Sequence, residues 1–175
     1  IKVQFLTYGD SSDRNWENKL EEIQLLPVYE RIKRPNSRIL TLLQTLIIPY
    51  VFRNELRQTD LYKTNQMWGG WVALLSKWYF RKPLLVRCGF EYHDFCQRQG
   101  ASRIYLTIIY WMSKFIYQCA DLIHVAAQND KKIINKIFKI DKRIINVRQN
   151  WINTDAFKPY PVVKKKRILF VGRLN

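Results

Sequence analysis

Short apolar runs alternating with helix-length stretches constrain this chain more than any other feature. Leu84–Val86 is nearly continuous in apolar residues and far too short for a helix. Such runs suit strands buried on both faces of a parallel sheet. Asp121–Ala127 and Ile144–Val147 read the same way, with a brief strand at Asp60–Lys63. Between them the sequence predicts helices over Trp71–Trp78, opened by Gly69-Gly70, over Arg103–Cys119, and over Asp130–Phe138. Upstream, Ile1–Tyr8 ends at the turn Gly9-Asp10, and Ile23–Val28 is a second strand that Pro27 marks as an edge or an exit. Strands alternating with helices predict an open, mostly parallel α/β sheet.

The connections are less regular. Ser11–Leu20 reads as polar loop and Arg31–Pro35 as a basic connector. Ser37 is placed to cap a helix from about Ile39 to Leu56, which Pro49 ends or kinks. A chain of 175 residues, 47% hydrophobic, buries enough for one domain plus a remnant. Cys88, Cys96 and Cys119 are odd in number and lack CxxC spacing, which suits a reducing cytosol better than a disulfide frame or a zinc site. No uninterrupted apolar run reaches spanning length. The net charge of +16 favours polyanions, whether nucleic acid, anionic lipid or phosphorylated substrates.

In parallel α/β sheets ligands bind beyond the carboxyl ends of the strands. That selects Thr7–Asp10, Thr64–Gln66, Arg87–Glu91, Gln128–Asn129 and Gln149–Asn150, mostly small, amide or charged residues suited to hydroxyl-rich ligands. The richest loop is VRCGFEYHDF. Gly89 permits close backbone approach. Glu91, His93 and Asp94 are the candidates for proton transfer. The alternative is a surface turn in which Asp94 caps the next segment.

The final stretch, QNWINTDAFKP followed by RILFVGRL, resembles the domain junction and the first donor-domain strand of the group 1, retaining, GT-B-type glycosyltransferases. Asn150, Ile152, Phe157 and Pro159 match the junction pattern, with Asn153 where Asp is usual. KPLLVRCG is similar to the family strand ending in His-Gly, with Cys88 at the His position. DLYKTNQMWGGWVALLSKW and ADLIHVAAQNDKKI resemble its acceptor-domain units. The resemblance implies a Rossmann-like sheet with helices on both faces. It divides the chain into an acceptor-binding domain at 1–155 lacking its first strand–helix unit, a linker at 156–166, and a first donor-domain strand at 167–175. It implies acceptor contacts at Asn65, Gln66, Gly69, Gly70, Arg87, Cys88, Gly89, Glu91, Gln128 and Asn150, and donor contacts at Gly172 and Arg173. A nucleotide-sugar would serve as co-substrate, with no cofactor and no metal motif. The acceptor would be a sugar, glycan or lipid-linked glycan of cell-surface polysaccharide or glycolipid synthesis. On this reading the chain is a fragment, inactive alone, cytoplasmic and peripheral at the inner face of the membrane.

Along the helix at 103–118, Arg103, Thr107, Tyr110, Lys114 and Tyr117 share one face, and Ile108, Trp111 and Phe115 lie on another. Basic residues beside Tyr and Trp suit an anionic membrane interface; the alternative is a packed helix with one wet stripe. The competing class is a basic nucleic-acid-binding protein, signalled by high pI and interleaved aromatics. No RRM, KH, zinc-finger or helix-turn-helix pattern supports it, so no nucleic-acid partner is expected. A dinucleotide binder fails for want of G-x-G-x-x-G after a strand.

Overall fold

The computed structural model describes residues 1–19 and 22–158. The expected donor-domain strand at 167–175, the donor contacts Gly172 and Arg173, and the linker from Pro159 onward lie outside the described residues. Among the described residues six strands run β1 (Val3–Thr7), β2 (Ile23–Pro27), β3 (Tyr62–Lys63), β4 (Leu84–Cys88), β5 (Leu122–Val125) and β6 (Ile145–Val147). The helices are α1 (Val28–Arg31), α2 (Arg38–Thr45), α3 (Ile48–Val51), α4 (Arg53–Arg57), α5 (Gly70–Phe80), α6 (Tyr92–Arg98), α7 (Arg103–Cys119) and α8 (Gln128–Phe138).

All strand pairs are parallel, as the alternation predicts. Among the described residues they form two sheets, β1-β2 and β3-β4-β5-β6, with no strand pairing between them. Ser37 caps α2 by accepting from the Leu40 N–H at 3.2 Å. Pro49 falls in the first turn of α3, where its missing N–H costs nothing. The single helix expected from about 39 to 56 is therefore three short ones. The polar stretch after β1 is not loop but a 3-10 helix, Ser11–Lys19, whose start Asp10 fixes by accepting from the Ser12 N–H at 2.9 Å.

The core explains the topology. Leu84, Val86, Cys88, Ile123, Val125 and Ile145 all point to one face and are buried. Packed on that same face are Leu74 of α5, Ile109, Ile116 and Tyr117 of α7, and Ile134 and Phe138 of α8. Helices on both faces were expected; this sheet carries its described helices on one. Strands added always in the same direction, each by a right-handed crossover, put every connecting helix on the same side. The opposite face presents Lys63, Leu85, Arg87, Leu122, His124 and Asn146, half-buried or exposed. A smaller cluster of Leu26, Val28, Ile48, Phe52 and Val72 joins the two-stranded sheet to α3 and α5.

Candidate functional site

Because β3 to β6 are parallel and adjacent, their carboxyl ends form one edge. The loops carrying Asn65, Glu91, Gln128 and Asn150 all leave from it.

Arg87 organises this edge. It stands on the open face, in register with His124, which pairs in turn with Asn146. Its Nη1 donates to Asn65 Oδ1 at 3.1 Å and its Nη2 to Asn150 Oδ1 at 2.6 Å. One guanidinium thus ties the loop after β3 to the loop after β6. Thr64 helps set its backbone, its Oγ1 accepting from the Arg87 N–H at 3.0 Å. Both guanidinium partners are neutral amides, so the cation is not cancelled and remains available to an anion or to hydroxyl oxygens. Lys63, Arg87 and Arg148 surround His124, whose pKa is lowered by burial first and then by these three charges.

The loop after β4 does several structural jobs. Glu91 is the N-cap of α6, its Oε2 accepting from the Asp94 N–H at 2.6 Å. The cap is therefore Glu91, where the alternative reading of this loop had Asp94. Glu91 is 2% exposed, and its Oε1 is buried with no hydrogen-bond partner. Burial raises its pKa above the usual carboxylate range, opposed by the Asp94 and His93 N–H groups and reinforced by the charges of Asp94 and Asp130. Asp94 is paired with Arg98 at 2.9 Å. His93 turns inward, its ring edge-on to Tyr110 at 5.9 Å and to Phe138 at 6.1 Å. Burial lowers its pKa, which favours the neutral imidazole, and the charge of Asp94 opposes this. Of the three acid–base candidates, only Glu91 combines a strongly buried carboxyl with an unmatched oxygen.

The glycines separate by role. A Cβ on Gly70 would meet Ile116 Cγ2 at 2.8 Å, so Gly70 lets α5 and α7 approach. Gly89 faces Gln66, whose Nε2 would lie 3.0 Å from such a Cβ. Gly69 has open space around it. Gln128 is exposed at the start of α8, whose N-cap Ala127 offers no side-chain oxygen.

Cys88 does not reach the open face. It is fully buried, its Sγ 3.3 Å from the Tyr117 hydroxyl, and burial pushes the thiol up to about 12. The parity of β4 decides this, since Arg87 and Cys88 must point to opposite faces. An acceptor contact at Cys88 is thus excluded by its place in the core.

Two contributors were missed in the sequence. Asp130 has a raised pKa from burial, opposed by hydrogen bonds from the Glu91 and Ala127 backbone N–H groups, so its carboxylate joins the loops after β4 and β5. In the sequence it is only an acid in a helix's first turn. His124 was hidden within an apolar run, where only strict alternation marks it as facing away from Ile123 and Val125. A surface hollow of about 650 Å³, bounded by Lys136, Lys139 and Lys142, sits at the far end of α8. Among the described residues no group of His, Cys, Asp or Glu could hold a metal ion. No protein-family model matches the sequence, and no curated protein matches it.

Proposed function

We propose that this chain is the acceptor-recognising side of a retaining glycosyltransferase, holding a sugar, glycan or lipid-linked acceptor against the carboxyl edge of β3–β6. The observation that carries the reading is Arg87, held between Asn65 and Asn150 with its charge uncancelled. Guanidinium and amide groups fixed relative to one another suit vicinal hydroxyls, which both donate and accept. The resemblance of the final stretch to group 1 enzymes supports the same assignment. A nucleotide-sugar would be the donor, and Gly172 and Arg173 would contact its diphosphate, where a positive group stabilises charge developing on the leaving group. Glu91, whose pKa burial raises, would be the acid–base candidate of this edge, provided that acceptor binding uncovers its buried Oε1.

The test is saturation-transfer NMR on the whole chain with a panel of hexoses, N-acetylhexosamines and their disaccharides. At least one should bind, and Arg87→Ala and Asn150→Ala should each remove the signal. Failure of every sugar to bind, or binding that survives both substitutions, overturns the reading. One observation favours the alternative of a basic nucleic-acid binder: Lys63, Arg87, His124 and Arg148 gather on one open sheet face. That alternative requires an oligonucleotide to bind with a steep inverse dependence on salt.

A further inference from the structure

Helix α7 is apolar on two opposite sides, and only one of them is covered. Ile109, Ser113, Ile116 and Tyr117 are buried against the sheet and its neighbouring helices. On the far side stand Ile104 (78% exposed), Ile108 (51%), Trp111 (60%) and Phe115 (51%). Their spacing of four, three and four residues keeps them in one stripe, about 16 Å long at 1.5 Å per residue. Trp78 of α5, itself 51% exposed, extends the stripe sideways, its ring edge-on to Phe115 at 5.6 Å. A helix that is apolar all round belongs in a core or a membrane. This one is half in a core, and no helix among the described residues is long and apolar enough to cross a membrane.

The surroundings select the occupant. Lys114 sits at the edge of the stripe, its ammonium 5.0 Å from the Trp111 ring. Arg103 is exposed at the stripe's start, and Arg81 and Lys82 lie beside Trp78. There is no Asp or Glu between Leu61 and Phe90, nor between Gln97 and Ala120, so neither α5 nor α7 carries an acid. Asp121, which shares a hollow with Trp78, is already paired with Lys77 at 2.7 Å. Apolar and indole side chains rimmed by uncompensated cations match the layering of an anionic bilayer surface, acyl boundary below and phosphates above. A second copy is a poor fit, since it would bring two chains of +16 face to face.

We infer that the stripe Ile104–Ile108–Trp111–Phe115, with Trp78, is a docking surface for an anionic phospholipid bilayer, α7 lying flat in the interface. The inference does not depend on the transferase reading. The face chosen is also not the one that the basic residues suggest. The line Arg103, Thr107, Tyr110, Lys114, Tyr117 descends into the protein, ending at a fully buried Tyr117.

The experiment is co-sedimentation of the whole chain with vesicles of phosphatidylcholine mixed with phosphatidylglycerol, against phosphatidylcholine alone. Mixed vesicles should bind the chain, neutral ones should bind it more weakly, and added salt should weaken the mixed case. Each ring of the stripe should contribute about tenfold to partitioning. The double variant Trp111→Ser, Phe115→Ser should therefore lose most binding, and Lys114→Glu a smaller share. Because these side chains are exposed, circular dichroism should find both variants folded. A control on the exposed apolar residues of the α2–α3 region, Leu43→Ser with Ile47→Ser, should leave binding unchanged. Binding that survives the stripe variants, that moves with the control, or that is equal on neutral vesicles overturns the inference. So does a stripe variant that converts a sedimenting dimer to monomer without altering vesicle binding.

Discussion

The two faces of the four-stranded sheet are built from alternate residues of the same strands, yet they do different work. Leu84, Val86 and Cys88 of β4 are fully buried beneath the helices, while Leu85 and Arg87 between them are only half-buried. In β5, Ile123 and Val125 face the helices and His124 faces the other way. The covered face holds apolar side chains around Phe138 and Tyr117, where burial of area supplies most of the stabilisation. The open face holds Lys63, Arg87, His124 and Asn146, whose hydrogen-bonding capacity is only partly used. A parallel sheet places both sets at one carboxyl edge without compromise, because adjacent residues cannot share a face. Stability and the proposed ligand binding are therefore separable here by residue parity, and substitutions can test that separation.

The largest effect should come from the covered face. Phe138 is fully buried and stacks on Tyr110 while meeting Tyr117 edge-on. Phe138→Ala should cost roughly 3–5 kcal/mol in denaturant unfolding. A loss below about 1 kcal/mol would mean that this face is not the seat of the fold's stability. On the open face, Arg87→Ala should change stability by only about 1 kcal/mol, since it removes hydrogen bonds to exposed amides. The same change should abolish sugar binding. If it instead unfolds the chain, the two faces are not separable.

Between these lies the seam, where Glu91 caps α6. Glu91→Ala should cost about 1 kcal/mol through the cap. Its folded pKa is raised, so its protonated form is favoured by folding. The stability from that preference is complete below the unfolded carboxylate pKa and is lost as pH rises through the folded value. Glu91→Gln should flatten this slope in unfolding midpoints taken from acidic to neutral pH. His124 works the other way. Its folded pKa is lowered, so its contribution is present above the ordinary imidazole range and is lost as pH falls through the folded value. His124→Gln should remove a weaker loss of stability on the acid side, the smallest effect of the set. An NMR titration placing the His124 pKa above its ordinary value would refute the cationic surroundings assigned to it.

Local sequence signals indicated the parallel α/β class, most strands, the long helix at 103–119 and the break at Pro49. Each of these rests on local chemistry: apolar run length, turn residues, and a ring that lacks an N–H. The strand-end rule also selected Asn65, Arg87, Glu91 and Asn150 as residues sharing an edge. Strand order, which sequence does not encode locally, was decided by the tertiary packing. It set all the described helices of the larger sheet on one side and left Arg87 and His124 open. Packing also sent Cys88 and His93 inward, because their neighbours in space are Tyr117, Tyr110 and Phe138, from helices distant in the chain. The same holds for α7. Its sequence shows apolar residues on nearly every side, and only the position of the sheet determines that Ile109 and Tyr117 are core while Trp111 and Phe115 face outward.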